Sequence, residues 1–436
     1  MCERKDAICF GIVFVSIAKI FTMKEKILQS LHEPAVLERL YRENKANFRR
    51  VFDELYPEIK DSPAAAFWNE RFRFEKKSEL HWGSSREIIF VIVVSLLAGF
   101  IAKLPRIFPI DEDIFYPRNF GYIVFPFLLI YFGVKNKLST ARAAWVASVM
   151  LLALIFINLL PEDTTSSTLV LTCLHLIIFI WGILGYVFTS KPGDLRRHRM
   201  EFVRYNGDLI VMGLLIITVG GFLSAITIGL FSLLGYRIEE FYFNNIGVFG
   251  LAAAPIVSTY LVRNNPQLVG KVSAVVARIF IPLVIVLLSV YLFFLFYSGK
   301  SPYDERDFLI IFNALLLVVM ALIYFAVAEN FATLGRTNVW LLLILSVLTI
   351  GVSAIILSAI GYRSWPHGVT PNRLAVLGTC GIIFVNLLKL IFRLIKILTS
   401  RKSTDSVSVL MAAYLPVYVL WAGIVSFVFP LVFDFR

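Results

Sequence analysis

Charge is scarce in this chain. Asp, Glu, Lys and Arg make up 17% of its 436 residues, where a soluble domain carries about 25%. Cysteine is scarcer still, with four in all: Cys2 and Cys9 near the N-terminus, Cys173 and Cys380 in separate apolar runs. No CxxC pair occurs, so neither a disulfide framework nor a zinc site is supported. A Walker loop, a dinucleotide fingerprint, a nucleophile elbow and an HExxH pair are all missing. No cofactor is implied, no metal ligand is nominated, and no catalytic residue can be named. Carboxylates are missing from the middle of every long apolar run; Glu329 sits at the end of one, where water is expected in reach. Carriers driven by protons or sodium usually bury carboxylates at the midplane, so this scarcity counts against that class.

What the chain does have is apolar length. Hydrophobic residues make up 58% of it, gathered into long runs between short polar connections. A run of about 18 apolar residues, rising about 1.5 Å per residue as a helix, crosses a hydrocarbon core of about 30 Å. The runs lack the two-residue alternation of barrel strands, so helices are the only way left to satisfy their backbone groups. Eleven spans are expected: 88–104, 119–134, 143–160, 168–189, 209–235, 246–262, 277–297, 308–328, 339–361, 374–395 and 410–433. The second is short and contains Pro126, so it is also open to a re-entrant reading. The fold class is all-α, a polytopic transmembrane helical bundle whose connections are too short to hold an inserted enzymatic domain.

Residues 23–87 form the one sizeable hydrophilic region. Leu37, Leu40, Tyr41, Phe48, Val51, Phe52 and Leu55 recur at helical spacing and give one apolar face. Pro34 suits a first helical turn, Pro57 and Pro63 are expected to mark a loop, and a second helix carries Phe67, Trp68, Phe72 and Phe74. From Lys24 to Glu87 there are 13 Lys plus Arg and 12 Asp plus Glu. That is a small amphipathic helical cap, expected to pack on the membrane domain or lie at its interface. Residues 1–22 read either as a short signal-like segment or as an extension ahead of a start at Met23. The second reading is preferred, because export of the following segment would oppose the charge pattern.

The net charge is +12. The cations cluster at the ends of apolar runs, which identifies a lipid bilayer rather than nucleic acid as the partner. Nineteen Lys and Arg fall on the connections that share a side with residues 71–86, and nine on the other set. Short loops rich in Lys and Arg stay in the cytoplasm, so the N-terminus is expected inside and the C-terminus outside. A possible parallel repeat relates Ser232–Arg237 to Ser358–Arg363.

A few polar groups stand out. His175 lies well inside a span and is either a proton relay or ligand contact, or an imidazole bonded to a neighbouring helix; no acidic partner favours the first. Asn158, Asn313 and Asn386 read as amides that join helices. The stretch from Lys191 to Asp208, with Arg196, Arg197 and Arg199, is expected to be a basic loop that binds an anionic ligand or lipid headgroup, or simply sets topology. Lys389 and Arg393, one helical turn apart, can reach lipid phosphates. On the outer side, Arg363, Trp365, His367 and Arg373 form a candidate ligand site, with Thr370 and Pro371 starting the next helix.

Three segments carry a resemblance: FWNERFRFEKKSELHWGS (Phe67 to Ser84), AKLPRIFPIDEDIFYPRNFGYIVFP (Ala102 to Pro126) and GVTPNRLAVLGTCGIIFVNLL (Gly368 to Leu388). They resemble the bacterial multi-pass inner-membrane family catalogued as domain-of-unknown-function family 4153. The resemblance implies a cell inner-membrane protein and carries over no functional residue. Three functions stay open on the residues: handling of a small molecule or lipid without ATP hydrolysis, a membrane-embedded enzyme acting on a lipid-linked substrate at the outer face, and a sensor or assembly factor signalling through the cap.

Overall fold

The structure is a computed structural model describing residues 23–76, 84–108, 110–162, 166–233, 236–297, 303, 306–330, 336–400 and 405–435, with the backbone alone at 46, 73–76, 230, 233, 266–278, 294–296, 306–309, 330, 365–367, 400 and 405. The expected signal-like segment or extension, residues 1–22, lies outside the described residues. The chain divides into two compact units, parting between residues 81 and 82.

The first unit holds three long helices, α1 (Pro34–Glu43), α2 (Lys45–Ile59) and α3 (Pro63–Lys76). Every residue of the expected apolar face is buried, from Leu37 through Leu55. The face is carried on two helices, because the chain leaves helical geometry at Asn44 and restarts there. The Asn44 side chain caps α2 by accepting the Asn47 N–H at 3.1 Å, as a short polar side chain does best. Pro57 lies within α2 rather than in a loop. Trp68 and Phe72 of α3 close the core against Tyr41, Phe48 and Phe52, whereas Phe67 points outward. The cap therefore has an aromatic core of its own. Arg71 forks onto Glu38 and lies over the Trp68 ring at 4.5 Å.

The second unit consists of α4 (Ser85–Ile107), α5 (Glu112–Lys135), α6 (Thr140–Leu159), α7 (Ser167–Phe188), α8 (Leu195–Leu233), α9 (Glu239–Asn264), α10 (Pro266–Tyr297), α11 (Arg306–Asn330), α12 (Arg336–His367), α13 (Pro371–Ser400) and α14 (Asp405–Phe427). Ten of these are long and apolar enough to cross a membrane. Helix α10 carries only the shorter apolar stretch Ile279–Phe293 among its described residues, but at 32 residues its length of about 48 Å exceeds a hydrocarbon core.

Boundaries shift where local chemistry demands it. The second span is not short: Asp111 accepts the Asp113 N–H and starts α5 at Glu112, seven residues early, so the acidic cluster is a helix cap. Pro126 stays inside that helix. The basic stretch is not a loop either, since α8 begins at Leu195 and carries Arg196 to Arg204 on its first turns. The expected outer loop 362–373 shrinks to 368–370, because α12 continues to His367 and Gly368 turns the chain at φ 72°. Thr370 accepts the Arg373 N–H at 3.4 Å and starts α13, as expected. The two copies of the possible repeat differ among the described residues: Tyr236 and Arg237 are not helical, whereas Tyr362 and Arg363 are.

Two groups of helices build the unit. One core gathers α4, α5, α6, α7 and α9; the other gathers α10 to α14. Helix α8 joins them, with Met200 and Val203 in the second core and Phe202, Tyr205 and Met212 in the first. Polar contacts sort the connections into two ends. At one, Arg118 donates to the Pro161 carbonyl (2.9 Å), Asn372 to Ser167 (3.0 Å), Ser166 to the Phe435 carbonyl (2.7 Å), and Arg363 to the Tyr303 carbonyl (2.6 Å). At the other, Asn136 donates to the Val187 and Phe188 carbonyls, Arg199 to Ala412 and Arg393 to Ser406. Helix α5 runs from the first set to the second, so it spans. Helix α10 leaves the second end and leads back towards Tyr303 at the first.

Candidate functional site

A cavity of 980 Å³ opens between α7, α14 and the start of α8. Its walls exist because small residues let two helices approach. At Gly182 a methyl group would collide with Val419, and at Gly423 it would press on Phe179; such contacts are how helices associate where water supplies no drive. Thr172 ties the same pair by donating to the Ser426 carbonyl at 3.3 Å. Trp181, on the wall, is held by Asn206 at 2.9 Å and lies against the Phe202 ring.

One end of this cavity is cationic. Arg142, Lys191 and Arg199 are its charged lining residues, and no carboxylate lines it. Arg199 is placed by a proline. Pro416 has no N–H, so the Ala412 carbonyl one turn earlier loses its helical donor. The Arg199 guanidinium donates to it at 3.2 Å, fixing α8 to α14 at the mouth. Lys191 pairs with Glu201 at 2.6 Å and lies over the Phe188 ring. Glu201 also meets Arg197 at 3.3 Å, so the group keeps a net positive charge. Arg142 stands exposed on the first turn of α6.

The candidates from the sequence scatter. Of the basic stretch, Lys191 and Arg199 line the cavity and Arg197 does not; Arg196 is exposed and its backbone N–H closes a turn onto Asp194. Lys389 and Arg393 line another, smaller groove of 490 Å³ with Lys396, Lys389 lying over the Tyr414 ring. At the opposite end, Arg363 and Arg373 turn to different backbone carbonyls, Tyr303 and Gly368. The side chains of Trp365 and His367 lie outside the described residues. His175 donates from Nδ1 to the Leu171 carbonyl of its own helix, 2.9 Å away, rather than reaching a neighbour.

The three asparagines do join helices. Asn158 exchanges hydrogen bonds with Asn119 across α6 and α5, at 3.0 and 3.1 Å. Asn313 accepts from the Cys380 thiol at 3.1 Å. Asn386, fully buried, donates to the Tyr324 and Tyr418 hydroxyls on α11 and α14, at 3.1 and 2.9 Å.

Two features escape a one-dimensional pattern. Arg118 is buried and supplies the missing donor at the C-terminus of α6, bonding the Pro161 carbonyl. Glu329 is not in reach of water: its side chain is 3% exposed and lies 3.0 Å from the Arg204 guanidinium of α8. The contact is ionic without the alignment of a hydrogen bond. Asp208, one turn beyond Arg204, is buried as well. The Pro and Gly at 416, 182 and 423 were the available signals for the cavity, but only the pairing of α7 with α14 gives them meaning. Among the described residues no cluster of His, Cys, Asp or Glu is arranged to hold a metal ion.

Comparison with protein-family models, with curated proteins and with solved structures returns no match. The chain is a multi-pass helical membrane protein.

Proposed function

We propose that this protein handles a lipid or a small amphiphilic molecule in the membrane, as a permease or flippase that works without ATP hydrolysis. The observation that carries the reading is the 980 Å³ cavity between α7 and α14, whose walls are mostly apolar and whose one end is cationic. Ligand sites usually measure about 300–1,000 Å³, apolar with a few placed polar groups. The connections between spans hold no catalytic domain, which supports movement or binding over chemistry. The cationic end belongs to the set of connections richer in Lys and Arg, so we place it at the cytoplasmic face of a bacterial inner membrane.

The test is a leaflet-exchange assay. Full-length protein in vesicles free of nucleotide is given a fluorescent phospholipid, and its passage between leaflets is followed by a quencher that cannot cross. The wild type is expected to speed exchange. Leu420→Trp, at an exposed lining position on α14, is expected to remove the effect by filling the cavity. Equal exchange with and without wild-type protein contradicts the reading.

A further inference from the structure

We propose that the cavity takes a membrane lipid by an anionic phosphate headgroup, held between Arg142, Lys191 and Arg199 with the acyl chain lying along α7 and α14. The inference rests on the cavity being the handling site, and goes beyond it by naming the ligand class.

Four observations meet there. The charged lining residues are all cations and come from three separate segments: the start of α6, the connection after α7 and the start of α8. Three cations on one rim repel one another unless an anion sits among them. Glu201 offsets part of that charge, but it already serves both Lys191 and Arg197. Arg199 is held in place by the Ala412 carbonyl; a neutral carbonyl fixes the side chain without cancelling its charge.

The rest of the cavity suits a chain. Beyond the cationic end the lining is apolar, with Val419, Leu420 and Ile424 spaced along α14 and Val428 just past its end. Gly182 and Gly185 on α7 let Val419 of α14 and Phe202 of α8 close against the cavity wall. Leu420 and Val428 are exposed, so the cavity is open along its length to the hydrocarbon, where an acyl chain already lies. A soluble anion would use the cations and leave this apolar wall unfilled. A zwitterionic lipid would fill the wall and bring its own ammonium against the cations. An anionic phospholipid satisfies both, and attraction of such lipids to juxtamembrane cations amounts to about a fivefold gain in affinity per cation.

Native mass spectrometry of the delipidated full-length protein tests this, with phosphatidylglycerol and phosphatidylcholine of identical chains as probes. Phosphatidylglycerol is expected to bind about tenfold or more tightly, and Arg142→Gln to weaken it about fivefold while leaving phosphatidylcholine unchanged. Leu420→Trp is expected to lose both lipids, and Leu420→Ala to keep both, which shows that loss reflects filling rather than misfolding. Equal binding of the two lipids, both lost in Leu420→Trp, overturns the anionic headgroup and leaves the cavity standing. Unchanged binding of both in Leu420→Trp overturns the cavity itself. Displacement of phosphatidylglycerol by millimolar inorganic phosphate assigns the cations to a soluble anion and overturns the lipid.

Discussion

The cap and the membrane unit are both packed helices, yet they are built in opposite senses. The cap hides Phe48, Phe52, Trp68 and Phe72 and shows its ion pairs outward. The membrane unit shows Leu215, Phe222, Leu251 and Leu420 outward, and buries amides and hydroxyls such as Asn386, Thr172, Ser258 and Ser353. The difference teaches what each solvent leaves for the protein to do. Water drives apolar side chains together, so the cap needs only a matched aromatic face. Hydrocarbon does not, so the bundle relies on close backbone approach and on hydrogen bonds between helices.

Substitutions should separate the two regimes. The largest effect is expected in the cap: Phe48→Ala removes a fully buried ring and should cost about 3–5 kcal/mol. Hydrogen exchange over residues 34–76 of the full-length protein would show it as lost protection there. A fall of under about 1 kcal/mol would mean that the aromatic face is not what holds the cap.

In the membrane unit the sensitive change is an addition. Gly378→Ala puts a methyl where Trp421 already lies, and overpacking of this kind costs about 1–3 kcal/mol. Thermal unfolding in detergent should drop accordingly; an unchanged transition would show that α13 and α14 are not tightly apposed. Asn386→Leu removes the two bonds to Tyr324 and Tyr418. Bonds between helices in a membrane are worth about 0.6–2 kcal/mol, so its effect should be smaller than that of Phe48→Ala. A larger loss would break the contrast.

The smallest effect is electrostatic. Glu38 is held below the usual carboxylate range first by its hydrogen bond from Arg71 and then by that from Arg42. A carboxyl whose folded value is lowered stabilises the cap above the unfolded value of about 4.3 and loses that contribution as pH falls through the folded one. Glu38→Gln should therefore lower cap stability slightly near neutral pH, leave it unchanged at pH 3 and so flatten the acid limb, as read by hydrogen exchange at pH 3 to 7. An acid limb identical to wild type would remove the pair from the account.

Sequence made the helices legible and their ends obscure. Apolar length alone locates ten of the eleven expected spans as long apolar helices, because a bilayer admits little else. The starts at Glu112 and Leu195 were hidden, since a charged first turn reads as loop until Asp111 is seen as a cap and Arg199 is seen to bond α14. The break at Asn44 was hidden because the apolar spacing continues through it. The cavity was the least legible of all. Its cations were visible as a basic stretch, but nothing along the chain says that α7 faces α14. Glu329 was misjudged for the same reason: position in a span does not reveal which neighbour covers a side chain.

The account rests on an odd number of crossings, with the cationic cavity mouth on the cytoplasmic side. Single-cysteine labelling in intact cells tests this most directly, in a background where Cys2, Cys9, Cys173 and Cys380 are replaced by serine. Val369→Cys and Asp434→Cys lie at one end of the unit, and Gly193→Cys lies at the other beside the cavity. A maleimide that cannot cross the membrane should label the first two in intact cells and Gly193→Cys only after permeabilisation. Labelling of Gly193→Cys and Asp434→Cys from the same side would contradict the account.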